Sequence, residues 1–390
     1  MLRTDARRAR RRQRNIWWSA IAVLTLAVAM TLGFVLFGDK AEPWEDHVVP
    51  RESKALSVVW SYRSTRFSVP AGVDVEAPTW LYVEADSLGK PVLQSLNDMG
   101  YSGFNASEYV SQAHAAGVRI WATVVSFDPE LSRQVVADAA SRTEFAAALA
   151  QWVESSGVDG VCLDFEYMDP ADADRYTALV QTISDALGDK TITAAVTVPL
   201  GYEDESNWYQ CYDRAGLAEA ADYLALMCYD AHKDGQQPVA PIQWVRRAVE
   251  RTLNEIDSSR VLLGMPFYGV DFYGKEGEKP ESTALSAATM ETLLAEGRMG
   301  SEENEIFVDT WQSRGTWQDE WAVMEYRFVD SQGRTHTIWM ECADSLRVRG
   351  ALMDEYALAG AAVWQKSQGT DALWTTLAEI TAEKETETYE

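Results

Sequence analysis

The chain has 390 residues, with 60 acidic against 34 basic side chains and a formal net charge of −26 at pH 7. A phosphate backbone repels so acidic a surface, which argues against a nucleic-acid partner. The length suits one domain of about 250 residues with an insertion, or two domains.

Charge is unevenly spread from the start. Residues 1–15 hold Arg3, Arg7, Arg8, Arg10, Arg11, Arg12 and Arg14 against Asp5 alone, and 16–37 are apolar. About 22 residues at 1.5 Å rise span roughly 33 Å, enough for the hydrocarbon core of a bilayer. Basic residues favour the cytoplasmic side, so a single-pass signal-anchor in the cell membrane is expected, with the rest of the chain extracellular and Trp17 and Trp18 as interfacial anchors. A cleaved signal peptide is the alternative. The length of the run and the Gly38-Asp-Lys-Ala-Glu-Pro43 that follows favour the anchor. Residues 38–54 read as a polar linker.

Eight apolar runs then read as strands, over 56–62, 78–83, 118–125, 160–165, 191–198, 223–229, 261–267 and 360–364. Amphipathic helices lie between them. Ser141-Arg-Thr-Glu144 reads as a capping box ahead of Phe145, Leu149 and Val153, closed by Gly157. Asp169-Pro170 supplies an N-cap and first-turn proline, Tyr176, Leu179, Val180, Ile183 and Leu187 make a stripe, and Gly188 ends it. After the sixth strand come Ile242, Val245, Val249, Leu253 and Ile256 at helical spacing. This alternation predicts an α/β fold, a (β/α)8 TIM barrel over 55–269 and 343–380. More than one helical crossover fits between the seventh and eighth strands. There, 322–329 and 335–340 alternate apolar and polar around Asp330 to Arg334, predicting a hairpin within a small α+β insertion over 270–342. Residues 381–390 form an acidic tail.

Cys162, Cys211, Cys228 and Cys342 have no spacing that suggests a bridge, and free thiols are expected. His47, His114, His232 and His336 are scattered, so no metal and no cofactor is expected.

The 160–165 strand carries chemistry. Side chains alternate along a strand, so Cys162, Asp164 and, just beyond, Glu166 share one face while Val161, Leu163 and Phe165 share the other. Two carboxylates in an apolar setting repel until one takes up a proton, which is how a general acid is made. Glu166 and Tyr229 both fall at C-terminal strand ends, where barrel active sites lie.

Asp159-Gly160-Val161-Cys162-Leu163-Asp164-Phe165-Glu166 matches the pattern Asp-Gly-x-Asp-x-Asp-x-Glu at every defined position except Cys162. With Met227-Cys228-Tyr229-Asp230, the run Leu263 to Gly269 and Trp364 at a strand end, residues 55 to 375 resemble glycoside hydrolase family 18, the chitinase and N-acetylglucosaminidase family. Pro78-Thr79-Trp80 and the run Tyr109 to Val118 are similar to its bacterial cell-wall and spore-germination branch. The resemblance implies a retaining hydrolase in which the substrate's own 2-acetamido oxygen attacks the anomeric carbon. It implies Glu166 as general acid and base, Asp164 orienting the acetamido N–H, Tyr229 donating to the acetamido oxygen, and Trp364 as the floor of the cleavage site. Asp159, Asp230, Trp60 and Trp80 are further candidates for substrate binding, with His232 near Asp230 and with Tyr62 and Trp208 as possible stacking surfaces. Cys162 stands where the family carries an acidic or amide residue, and a thiol is a poor hydrogen-bond partner for Asp164. The implied partner is a polysaccharide of β-1,4-linked N-acetylglucosamine. An envelope location favours peptidoglycan over chitin, and a monomer is expected. A sugar-binding lectin of the same fold and an envelope scaffold stay open as alternatives, the presence of Glu166 favouring the enzyme.

Overall fold

The computed structural model describes residues 54–199, 207–234, 236–296, 298–299, 306–307, 315–330 and 332–383. The expected basic tail and apolar anchor, nearly all of the linker, and most of the acidic tail lie outside these residues. Among the described residues no helix is long and apolar enough to cross a membrane.

Eight parallel strands close into a ring. They are β1 (Leu56–Tyr62), β2 (Val75–Ala85), β4 (Arg119–Ser126), β5 (Gly160–Phe165), β6 (Thr191–Thr197), β7 (Tyr223–Met227), β8 (Val261–Pro266) and β16 (Gly360–Trp364). Neighbours pair in that order, and both β16 and β2 pair with β1, which closes the barrel. Strands buried on both faces read as continuous apolar runs, which is why eight of them were legible. The extra strand β3 (Pro91–Ser95), antiparallel to β2, was not expected.

Alternation divides each strand between two cores. Val58, Trp60, Ala77, Trp121, Cys162, Ala195, Ala225 and Ala362 fill the inside of the ring. Val161, Leu163 and Phe165 face outward with the residues packed under the helices. Trp121 and Tyr223 stack inside the barrel with ring centroids 5.8 Å apart. Gly160 makes room for them, since a Cβ there would lie 2.8 Å from the Trp121 ring and 2.3 Å from the Thr191 carbonyl oxygen. Small residues opposite large ones give the dense interior that a barrel needs.

The helices follow the sequence with shifts at their ends. Ala139–Ser156 begins two residues before the expected box, because Asp138 is the N-cap and accepts from the Ser141 amide at 2.8 Å. Gly157, at φ 75°, closes it just before β5. Pro170–Asp172 is a short 3-10 turn capped by Asp169, and Ala173–Leu187 follows. Ile242–Leu253 stops short of Ile256.

The insertion is a five-stranded antiparallel sheet. Its strands are β9 (Tyr268–Gly274), β10 (Glu281–Ser286), β13 (Thr316–Gln318), β14 (Val323–Val329) and β15 (Thr335–Met340), in the order β10-β9-β15-β14-β13. The two-residue strands β11 (Arg298–Met299) and β12 (Ile306–Phe307) pair separately. The β14–β15 hairpin turns at Gly333, φ 75°, with Asp330 accepting from the Arg334 amide at 2.8 Å. Helix Ala343–Glu355 ties this sheet to the barrel. Its fully buried Arg349 donates to Glu341 Oε1 at 2.8 Å and to the carbonyl oxygen of Ala240. Burial pushes the Glu341 carboxyl up to about 7, with Arg349 countering. None of the four cysteines forms a disulfide; Cys162, Cys211 and Cys228 are buried, and Cys342 is half-buried.

Candidate active site

The C-terminal end of β5 is held tightly. The Tyr212 hydroxyl donates to the Phe165 carbonyl at 2.8 Å, and the Glu166 amide donates to the Ser126 carbonyl at 2.9 Å. Asp164 is 6% exposed, and its Oδ1 has no hydrogen-bond partner among the described residues. Burial alone pushes its carboxyl up to about 7. Cys162 lies one pleat deeper, its thiol pushed up to about 12 by burial and then by the Asp164 charge. Glu166 is half-buried.

The facing walls come from β7, β16 and β1. Tyr229 and Asp230 lie two and three residues beyond the end of β7, so the strand expected to reach Tyr229 is shorter. Burial raises the Tyr229 phenol, and the charges of Asp164 and Glu166 raise it further. Asp230, at φ 70°, accepts a hydrogen bond from the Tyr268 hydroxyl. His232 Nδ1 lies 3.9 Å from Asp230 Oδ1. Trp364 ends β16, four places round the ring from β5, so it faces Asp164 across the mouth. Trp60 packs against it with ring centroids 6.2 Å apart. Just beyond, Lys366 donates to buried Glu76 at 2.6 Å, and Glu76 also accepts from Ser61 at 2.6 Å and Tyr109 at 2.9 Å. This network pins the segment that carries Trp364.

Between these walls lies a cleft of about 430 Å³ lined by Asp164, Glu166, Tyr229, Asp230, Trp60 and Trp364, together with Arg63, Tyr82, Glu84, Met227 and Tyr268. Exposed Tyr62, Phe127 and Tyr167 stand on its rim. Among the described residues no group of three His, Cys, Asp or Glu side chains could hold a metal ion.

Residues 128–369, well over half of the chain, match the family described as Glycosyl hydrolases family 18. The chain belongs to that family. This family 18 member is 28% identical to YdhD of Bacillus subtilis (strain 168) over 245 residues, 62% of this chain and 55% of YdhD. It is 23% identical to the cortical fragment-lytic enzyme of the same organism, covering 65% of this chain and 57% of that protein. The chain thus spans little more than half the length of these two relatives. The Rattus norvegicus di-N-acetylchitobiase is 22% identical, over 66% of this chain and 72% of the enzyme. The structure of the Bacillus megaterium QM B1551 spore cortex-lytic enzyme SleL has the same fold, with a TM-score of 0.66, 20% identity, and coverage of 85% of this chain and 75% of SleL.

Six of the eight candidate residues of the hydrolase line this one cleft: Glu166, Asp164, Tyr229, Trp364, Asp230 and Trp60, the last as a buried floor. Two do not, and these are corrections. Asp159 sits at the opposite end of β5, where it accepts from the Ile120 amide at 2.8 Å and bonds His114 at 2.9 Å. It tethers the strand's start. Trp80 is fully buried outside the ring against Phe104, Tyr109 and Trp152, donating to the Ser64 carbonyl at 2.7 Å. Its strand phase points it under the helices, away from the mouth. The Trp208 side chain lies outside the described residues.

Sequence reasoning missed Arg63, Tyr82 and Tyr268. Arg63 directly follows a strand end, a position that faces the mouth of a barrel, and that signal could have found it. Tyr82 and Tyr268 join the site only through tertiary packing.

Proposed function

We propose that this glycoside hydrolase cleaves β-1,4-linked N-acetylglucosamine polymers with retention, by substrate-assisted catalysis, and that its substrate outside the cell is peptidoglycan rather than chitin. The observation that carries this reading is Asp164: a buried carboxylate with an unpartnered oxygen, two residues before Glu166 and facing Trp364 across the cleft. A buried polar atom without a partner is costly unless a ligand completes it. The acetamido N–H of a bound sugar supplies that donor.

In the proposed reaction Glu166 gives its proton to the glycosidic oxygen as the bond to the anomeric carbon breaks. The acetamido oxygen attacks that carbon from the other face, and the positive charge of the resulting oxazolinium is offset by Asp164. The Tyr229 hydroxyl donates to the acetamido oxygen as it turns inward, and Trp364 supports the sugar ring. Water, deprotonated by Glu166, then opens the oxazolinium and restores the acid. Relatives named for di-N-acetylchitobiose and for cortical fragments support an amino-sugar glycan as substrate. The basic and apolar segments 1–15 and 16–37 support tethering at the cell membrane with the catalytic domain extracellular.

The test is the release of reducing ends from purified sacculi and of fluorophore from a chitobioside, with fragments identified by mass spectrometry. Glu166→Gln is expected to lose at least a hundredfold in kcat. Unchanged release would end the catalytic reading, and sugar binding without turnover in both proteins would favour the lectin.

A further inference from the structure

Arg63 is the one cation lining the cleft among the described residues, in the company of Glu84, Asp164, Glu166 and Asp230. It is half-buried, follows β1 at φ 47°, and forms no ion pair among the described residues. Its Nε donates to the Tyr82 hydroxyl at 2.9 Å and its Nη1 to the Tyr101 hydroxyl at 3.2 Å. The guanidinium carbon also lies 5.0 Å from the Tyr62 ring centroid and 5.1 Å from that of Tyr82. Tyrosines therefore hold the group flat and rigid without neutralising it.

A guanidinium has five N–H donors in a planar fork. Two are used here, leaving three, both Nη2 hydrogens and one on Nη1, to donate to the oxygens of a carboxylate. Because the Tyr82 hydroxyl accepts from Arg63, its own proton is free to donate to the same anion. The other ionisable groups of the cleft among the described residues are acids and tyrosines, so a carboxylate on a bound glycan has one cation to settle against. That place is three strands round the ring from β5, on the order of 14 Å by barrel geometry, so the anion is read on a sugar away from the bond being cut.

We propose that Arg63 is a specificity determinant that binds a carboxylate carried by an amino-sugar glycan, either the lactyl carboxylate of a muramyl residue or a carboxylate of its peptide stem, and thereby sets the register of an anionic polymer in the cleft. This rests on the glycosidase reading above and names its substrate class: an acidic glycan in preference to a neutral one.

The experiment compares kcat/KM for a stem-free N-acetylglucosaminyl-muramyl tetrasaccharide with that for the same saccharide after reduction of its carboxyls to alcohols. A third arm uses the stem-bearing form. A charged hydrogen-bonded contact supports a preference of roughly tenfold or more for the carboxylate. Arg63→Gln is expected to bring that ratio within twofold of one, and Arg63→Lys, which keeps the charge but not the fork, to leave it in between. A preference in the stem-free pair assigns the lactyl group. A preference seen only with the stem assigns the peptide. A wild-type ratio near one in every arm, or a preference that survives Arg63→Gln, overturns the proposal. If wild type turns over none of these saccharides, the glycosidase reading fails by itself. Calorimetric binding of the same saccharides to Glu166→Gln, with and without Arg63→Gln, then decides Arg63 separately, carboxylate-dependent affinity lost with the arginine upholding it and equal affinities overturning it.

Discussion

Cys162 and Asp164 stand one pleat apart on the inward face of β5, both buried, with no hydrogen bond linking thiol to carboxylate among the described residues. The thiol, pushed up to about 12, stays neutral across the working range and cannot share a proton with Asp164. An aspartate there could. Cys162→Asp is expected to place two carboxylates side by side, raise the higher of their titrations, and move the alkaline limb of kcat/KM up by about one pH unit. It should also lower Tm at pH 8, where a second buried charge must form. An unshifted pH profile in a folded variant would show that this position does not tune Asp164.

In the wild type, burial lifts the Asp164 carboxyl to about 7, so below that pH it carries a proton available to Glu166 two residues on. Protonation of the leaving oxygen needs that proton. Hydrolysis is therefore expected to fall about tenfold per pH unit above an apparent value near 7, read from kcat/KM on a chitobioside whose leaving group does not itself titrate. A profile flat to pH 9 would contradict it.

Asp164 also sets a stability dependence. Its folded value of about 7 lies above the ordinary 3.8, so its contribution is fully present below pH 4 and is lost as pH rises through 7. Asp164→Asn removes the ionisation altogether. The variant is expected to melt a few degrees above wild type at pH 8, to match it below pH 4, and to lose at least a hundredfold in kcat. Glu341, also raised to about 7, leaves both proteins with the same residual decline. Scanning calorimetry at the two pH values decides the matter.

Glu76 acts through position. Glu76→Gln leaves the Lys366 ammonium in a largely buried site without its anion, and breaking such a pair costs about 3–5 kcal/mol. Tm should drop by several degrees, and KM should rise as Trp364 loses its anchorage. Loss of stability without any change in KM would make the network purely structural.

For the membrane anchor, full-length protein expressed in a bacterium is expected in the carbonate-resistant membrane fraction, with the barrel open to protease added outside spheroplasts. Recovery in the soluble fraction would refute the anchor.

The barrel was legible because doubly covered strands leave continuous apolar runs, and the 160–166 segment announced its two faces by strict alternation. The hairpin at Gly333 showed itself through turn chemistry. Trp80 misled because a tryptophan within a strand buried on both faces gives no sign of which face it takes. Asp159 misled because a motif residue can serve the strand rather than the sugar. Asp138 and Ser141 are both good caps only three residues apart in sequence, and the chain's path chooses between them. The Arg63, Tyr82 and Tyr101 grouping joins three separate segments, and no local pattern encodes it.

Tyr268 opens β9 of the insertion sheet while its hydroxyl holds Asp230 at the rim of the cleft. The appended sheet is thus not a detachable accessory. Trading it for another family member's version would redraw the mouth of the enzyme, so divergence in this region can alter which polymers are accepted while leaving the proton-transfer apparatus untouched.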